Sequence, residues 1–78
     1  MLNDVEAKEF QRFLKRIGRN MRQVRKEANM TQNQASEEIG IGLRYYQRIE
    51  SGEYPMSVRN LLKIALRLKV DLTRLVSS

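Results

Sequence analysis

The sequence predicts an all-α fold, and three observations carry the prediction. One proline, Pro55, and four glycines, Gly18, Gly40, Gly42 and Gly52, punctuate a chain otherwise rich in helix formers. Apolar residues recur every three or four positions, and no alternation of the kind a strand needs runs to useful length. At the breaks stand residues that start or stop helices. The expected architecture is a compact bundle of about five helices around one core, a single domain over residues 1–78. No internal repeat, low-complexity tract or linker divides it.

In the first segment Phe10, Phe13, Leu14, Ile17, Met21, Val24 and Ala28 fall at helical spacing within one arc of about 100°. That arc is the expected core face, and residues 1–12 read as an N-terminal extension of the helix. Roughly opposite run Arg12, Lys15, Arg16, Arg19, Arg22 and Lys26, with no acidic residue between positions 12 and 26. Such a stripe is either a solvated outer face or is compensated by something anionic. Arg25 departs from it: it falls at the apolar edge, where a lone guanidinium is costly to desolvate, so an acidic partner is expected. Gly18 leaves open whether residues 5–28 form one helix or two.

Thr31 and Gln34 have the spacing of a capping box, Ala35 and Ile39 face inward, and Gly40 ends this helix in the left-handed conformation. A second short helix, Leu43 to Glu50, follows after a turn of about three residues and is closed by Ser51-Gly52, which makes residues 31–52 a helix-turn-helix. Tyr46 and Ile49 are its expected buried face, which leaves Arg44, Tyr45, Gln47 and Arg48 outward. Glu53 to Met56 is a loop, since a residue before proline avoids helix. Ser57 then caps a core helix of Val58, Leu61, Leu62, Ala65 and Leu68, and Asp71 caps a last turn or two with Leu72, Leu75 and Val76. Residues 57–76 thus supply core helices, and Leu72, Leu75 and Val76 form a short apolar surface that one small core need not entirely consume.

Composition narrows the function. Fifteen Lys and Arg against nine Asp and Glu give a net charge of +6, which favours polyanionic partners. With neither histidine nor cysteine, the chain lacks imidazole bases, thiol nucleophiles and the metal sites built from them, so no enzyme and no cofactor are expected. No apolar run approaches the roughly 20 residues of a membrane span, and the N-terminus MLNDVEAKEF is too polar for a secretory signal. A soluble, cytoplasmic protein without a membrane partner is the expectation.

The segment Thr31 to Gly52, TQNQASEEIGIGLRYYQRIESG, resembles the helix-turn-helix of the lambda-repressor-like, or Xre and Cro, family of regulators. The matching features are the Thr-Gln opening, the Ile39-Gly40-Ile41 turn, the Arg48-Ile49-Glu50-Ser51-Gly52 ending, and the later Leu61-Leu62-Lys63-Ile64-Ala65 with Leu68, Val70 and Leu72. The chain departs from that pattern at Ala35 and Ser36, where the family usually has Leu and Ala, and at Tyr46, where it has a small aliphatic residue. The Tyr46 ring is expected to fill volume that Ala35 gives up, with its hydroxyl bonded or reaching solvent.

The resemblance implies a role for each of the remaining residues. Arg25 pairs with Glu50 and orients the recognition helix. That helix, residues 43–50, lies in the DNA major groove with Leu43, Arg44 and, one turn later, Arg48 at base edges. Arginine matches guanine bidentately, and Gln47 reads adenine or contacts backbone. Thr31, Gln32 and Asn33 hold phosphate at a helix N-terminus, Tyr45 touches phosphate, sugar or a thymine methyl, and Arg59 and Asn60 open a helix that holds a further phosphate. One short helix reads few base pairs, so a homodimer on a pseudo-palindromic operator is implied, with half-sites about one DNA turn apart. The family's dimer contact usually involves the C-terminal region, which points to Leu72, Leu75 and Val76. An antitoxin with a partner toxin is the alternative on the same fold. Repression and activation, the latter through RNA polymerase, are not separated by the sequence.

Overall fold

A computed structural model describes residues 1–78 as five helices and no strand: α1 (Asp4–Glu27), α2 (Gln32–Ile39), α3 (Leu43–Glu50), α4 (Val58–Leu68) and α5 (Leu72–Val76). Local chemistry sets most boundaries. Asn3 and Glu6 form a reciprocal capping box at α1, Thr31 and Gln34 another at α2, while the Ser57 hydroxyl and the Asp71 carboxylate cap α4 and α5. Each such cap is worth about 1 kcal/mol. Gly40, at φ 85°, closes α2 in the left-handed region. Lys69 closes α4 in that region at φ 60°, a conformation that costs a side-chain-bearing residue roughly 1 kcal/mol.

Ile17, Met21 and Val24 of α1 meet Ala35 and Ile39 of α2, Tyr46 and Ile49 of α3, Ile64 and Ala65 of α4 and Leu75 of α5 in one core. α1 packs against α3 and α5, α2 against α3 and α4, and α4 against α5. Burying each large side chain here stabilises the fold by roughly 1.5–3 kcal/mol. Tyr46 is the largest member and fully buried. Its hydroxyl, expected to be bonded or solvated, is neither: it is buried without a hydrogen-bond partner.

Gly18 does not break α1. The helix is continuous, and the glycine serves a close approach instead: a Cβ there would collide with the backbone carbonyl oxygen of Glu50 and stand 2.9 Å from that of Ile49. Gly52, at φ 78°, abuts the same helix, where a Cβ would come within 2.8 Å of the Lys15 Cα. Backbone therefore meets backbone where the end of α3 crosses α1.

The apolar pattern overstates the core at two places. Phe10 and Phe13 are 41% and 36% exposed, because the packed body begins at Leu14, and of residues 4–13 only Ala7 is even partly covered; Ala28 is exposed too. At about 1.5 Å per residue α1 is about 36 Å long, close to the molecule's longest dimension of 38 Å, so its N-terminal part overhangs a body only 23 by 20 Å across. On α4 the buried side is Ile64 and Ala65, with Leu61 and Leu68 half-buried, while Val58 and Leu62 point outward. No helix is long and apolar enough to cross a membrane, and no group of three or more metal-ligating side chains is placed to hold a metal.

Candidate nucleic-acid interface

The helix-turn-helix is held by one polar network. Arg25 donates from Nε to Glu50 Oε2 and from Nη2 to Oε1, both at 2.9 Å, and from Nη1 to the Met30 carbonyl at 3.0 Å. Gln32 Nε2 donates to Glu50 Oε1 at 3.1 Å, and Gln47 Nε2 donates to Gln32 Oε1 at 3.1 Å. The chain of bonds thus runs from α1 through the end of α3 to the start of α2 and back to the middle of α3. The Arg25 and Glu50 side chains are 11% and 5% exposed. Such fork-to-fork geometry fixes orientation as well as distance, which a lysine could not do.

Electrostatics follow from that geometry. Burial disfavours the Glu50 carboxylate, but the hydrogen bonds from Arg25 and Gln32, with the Arg25 charge, outweigh it and hold the group below its ordinary value. The Glu50 hydrogen bonds in turn raise Arg25. Burial pushes the Tyr46 phenol up, and the neighbouring Glu50 charge adds to the effect.

With Tyr46 and Ile49 buried, the opposite side of α3 presents Leu43, Arg44, Gln47 and Arg48 to solvent. Arg44, Gln47 and Arg48 line a groove with Ser51 and Glu53. Arg44 and Arg48 lie one turn apart on one face, at the i and i+4 positions. The Arg48 guanidinium sits 5.4 Å from the Tyr54 ring centroid, a cation–π arrangement, and Tyr54 meets Tyr45 edge-on at 5.7 Å and 87°. The Tyr45 hydroxyl accepts from Asn60 Nδ2 at 3.1 Å. Arg48 is thereby braced through the loop onto α4.

The proposed phosphate residues divide. Thr31 and Gln32 border a polar groove completed by Arg22, Arg25, Gln47, Glu50 and Ser51. The capping box occupies the Gln34 N–H and the Thr31 N–H, while the first-turn N–H groups between them have no acceptor within the helix. Arg59 is exposed at the start of α4. Asn33 instead donates along α2 to Glu37 Oε1 at 2.9 Å, and Asn60 and Tyr45 are committed to each other. Arg22 was readable only as part of a basic stripe, although its place three residues before Arg25 puts it on this groove. Tyr54 was missed, and an aromatic residue within reach of Arg48 across the loop was the available signal.

Of the three residues suggested for a dimer contact, Leu75 is withdrawn: it is fully buried in the protomer's own core and has no surface to offer. Leu72 and Val76 are half-buried against that core.

Residues 21–75, from the last two turns of α1 into α5, match the model of the helix-turn-helix family HTH_3. The chain belongs to that family. It is 45% identical over 51 residues to the cryptic phage CTXphi transcriptional repressor RstR of Vibrio cholerae serotype O1, a match covering 65% of this HTH_3 chain and 46% of the relative. The chain thus spans about half the length of that curated relative. Among solved structures it is similar to the restriction-modification controller protein C.AhdI from Aeromonas hydrophila, with a TM-score of 0.75 and 26% identity over 80% of this chain and 94% of that one. It shares its fold with an HTH_3 family transcriptional regulator from Vibrio cholerae, with a TM-score of 0.80 and 21% identity over 85% of this chain and 37% of the other.

Proposed function

We propose that the protein is a sequence-specific double-stranded DNA-binding transcriptional regulator that acts as a homodimer and inserts α3 into the major groove. The observation that carries this reading is the pairing of a rigidly held helix with a reading face: Arg44 and Arg48 are exposed on one side of α3 while Tyr46, Ile49 and the Arg25–Glu50 bond fix the other. The net charge of +6 supports it, because a basic surface releases counterions on binding phosphate. So does the likeness to a phage transcriptional repressor and to a restriction-modification controller protein.

In this reading Arg44 and Arg48 take guanine edges, Leu43 packs against a base at the start of the helix, and Gln47, anchored by Gln32, sits one step back from the bases. Thr31, Gln32, Arg22 and Arg59 hold phosphates on either side. The test is selection from a randomised duplex library at about 150 mM salt, where non-specific attraction is weakened. The wild type should enrich a two-fold symmetric site, and Arg44→Ala and Arg48→Ala should each weaken it by about 1–3 kcal/mol, roughly five- to 150-fold. A folded wild type that enriches no sequence overturns the proposal.

A further inference from the structure

Two apolar surfaces of the protein have no partner within the protomer: one is flanked by cations, and the other shares its face with carboxylates, Lys8 and Arg12 lying off that face of the same helix. On α4, Val58, Leu62 and Leu66 are 81%, 47% and 67% exposed at successive i+4 positions. Arg59, Lys63 and Arg67 run beside them, and Leu62 and Leu66 share a shallow groove with these three cations. On the α1 overhang, Phe10 and Phe13 are exposed and, at about 100° per residue, share one arc of roughly 100° with Glu6 and Glu9. The overhang lies outside residues 21–75, the part that matches the family.

We propose that the α1 overhang of one protomer docks on the α4 stripe of a second copy, and that a two-fold axis repeats the contact in reverse. This rests on the homodimer in the function proposed above, and replaces the C-terminal candidates as its main contact. Charge selects the pairing. With Arg59 turned to phosphate, two α4 stripes laid antiparallel about a two-fold axis would still set the row of Lys63 and Arg67 against its own copy, and like charges so placed repel. Asp4, Glu6 and Glu9 put three carboxylates within six residues beside exposed aromatic side chains. Of the other carboxylates, Glu27 is bonded to Arg74, Glu37 to Asn33, Glu50 to Arg25 and Asp71 to the start of α5, while Glu38 and Glu53 are exposed acids with no phenylalanine pair such as Phe10 and Phe13 beside them. On the overhang itself Glu6 also caps the helix. The one ion pair on the overhang, Glu9 with Arg12, has both side chains mostly exposed and is readily exchanged.

The dimensions agree. Residues 4–13 extend about 15 Å and the eleven residues of α4 about 16 Å. A single contact between segments this short is small against the roughly 1,200 Å² of a stable interface, and the reciprocal arrangement doubles it. Reciprocity also closes the assembly, where a one-way contact would continue into open chains.

The absence of cysteine allows a clean test, since introduced thiols report only on themselves. Phe10→Cys and Leu62→Cys replace exposed side chains, and far-UV circular dichroism checks that each variant remains folded. Each protein, and a mixture of the two, is treated with a short bismaleimide at a concentration where sedimentation shows wild-type dimer. The expected result is at least a tenfold excess of cross-linked dimer in the mixture over either variant alone, with mass spectrometry placing the bridge between positions 10 and 62. Cross-linking of Leu62→Cys with itself would mean that α4 pairs with α4, and that of Phe10→Cys with itself that the overhangs pair; either overturns the proposal. So does a mass that climbs past the dimer with concentration. Phe13→Glu separates this inference from the functional reading. It should shift the wild-type dimer to monomer, and a variant that stays dimeric and keeps its operator site sinks the contact while leaving the DNA-binding proposal intact. A wild type that is monomeric even on its selected site would sink both the dimer and this contact.

Discussion

Replacing Arg25 by methionine keeps an unbranched stem but removes three hydrogen bonds, two of them to Glu50 and one to the Met30 carbonyl. Glu50, its side chain 5% exposed, is left with Gln32 as its remaining donor. Breaking a buried pair from one side typically costs about 3–5 kcal/mol, mostly as the penalty of the stranded charge. That charge can escape by taking a proton, and the escape limits the penalty. For a carboxyl group of ordinary value 4.5, neutralisation at pH 7 costs about 3.4 kcal/mol, at roughly 1.36 kcal/mol per pH unit. At pH 5 the same limit is about 0.7 kcal/mol. The wild type has no such slope in this range, because its lowered Glu50 is ionised both folded and unfolded. Urea unfolding followed by circular dichroism should therefore show Arg25→Met less stable than wild type by about 4 kcal/mol at pH 7, including about 1 kcal/mol for the Met30 bond, and by under about 2 kcal/mol at pH 5. Adding Glu50→Met should recover most of the loss at pH 7 and abolish the slope. A deficit equal at both pH values, or a double variant as unstable as the single one, would refute the stranded carboxylate as its cause.

Three further outcomes follow from the same geometry. Gly18→Ala gains about 1 kcal/mol of helix propensity, but its methyl group meets the backbone carbonyls that end α3. Overpacking outweighs the gain, and thermal unfolding should drop by roughly 10 °C, a net loss of about 2 kcal/mol; an unchanged melting temperature would mean the crossing is looser than described. Tyr46→Phe removes a buried hydroxyl that has no partner, so stability should hold or rise by up to about 1 kcal/mol, and a loss above that in urea melts would show the hydroxyl to be bonded. On the acid side, Glu50 titrates lower in the fold than in the unfolded chain, so its stabilisation is complete above 4.5 and is lost as pH falls through the lowered value. Glu50→Gln should accordingly give a shallower acid limb in a pH series of melts; an acid limb of unchanged slope assigns it to other carboxylates, such as Glu27 and Asp71.

Where local chemistry decides the structure, the sequence was legible. The Thr31–Gln34 box, the left-handed Gly40, the Ser57 and Asp71 caps and the inward Ala35, Ile39, Tyr46 and Ile49 all depend on residues a few positions apart. The need of Arg25 for a carboxylate was legible too, because the cost of an unpaired guanidinium at an apolar edge is independent of the fold. What failed were inferences that periodicity alone cannot support. A helical pattern tells which residues could face a core and not how far the core extends, so Phe10, Phe13, Val58 and Leu62 were counted as interior and Leu75 as surface. Gly18 was read as a weakness of one helix because its partner, the end of α3, is more than thirty residues away in sequence. The sequence likewise did not show that, in the free protein, Asn33 and Asn60, which have the chemistry of phosphate ligands, bond to Glu37 and Tyr45.

The crossing at Gly18 has a mechanical consequence. A continuous helix that bears on the last turn of α3 with no side chain between them is a lever, with its fulcrum at residues 15–18 and its free arm in residues 4–13. Side chains at a crossing act as cushions, since rotamer changes absorb small displacements; bare backbone has none to offer. A tilt of the arm bears first on the turn carrying Ile49 and Glu50, the residue to which Gln32 and, through it, Gln47 are bonded, with the Ile17 and Met21 side chains left to absorb the rest. A partner that grips the far end of α1 therefore holds a helix that rests directly on the turn ending the one that carries Arg44 and Arg48.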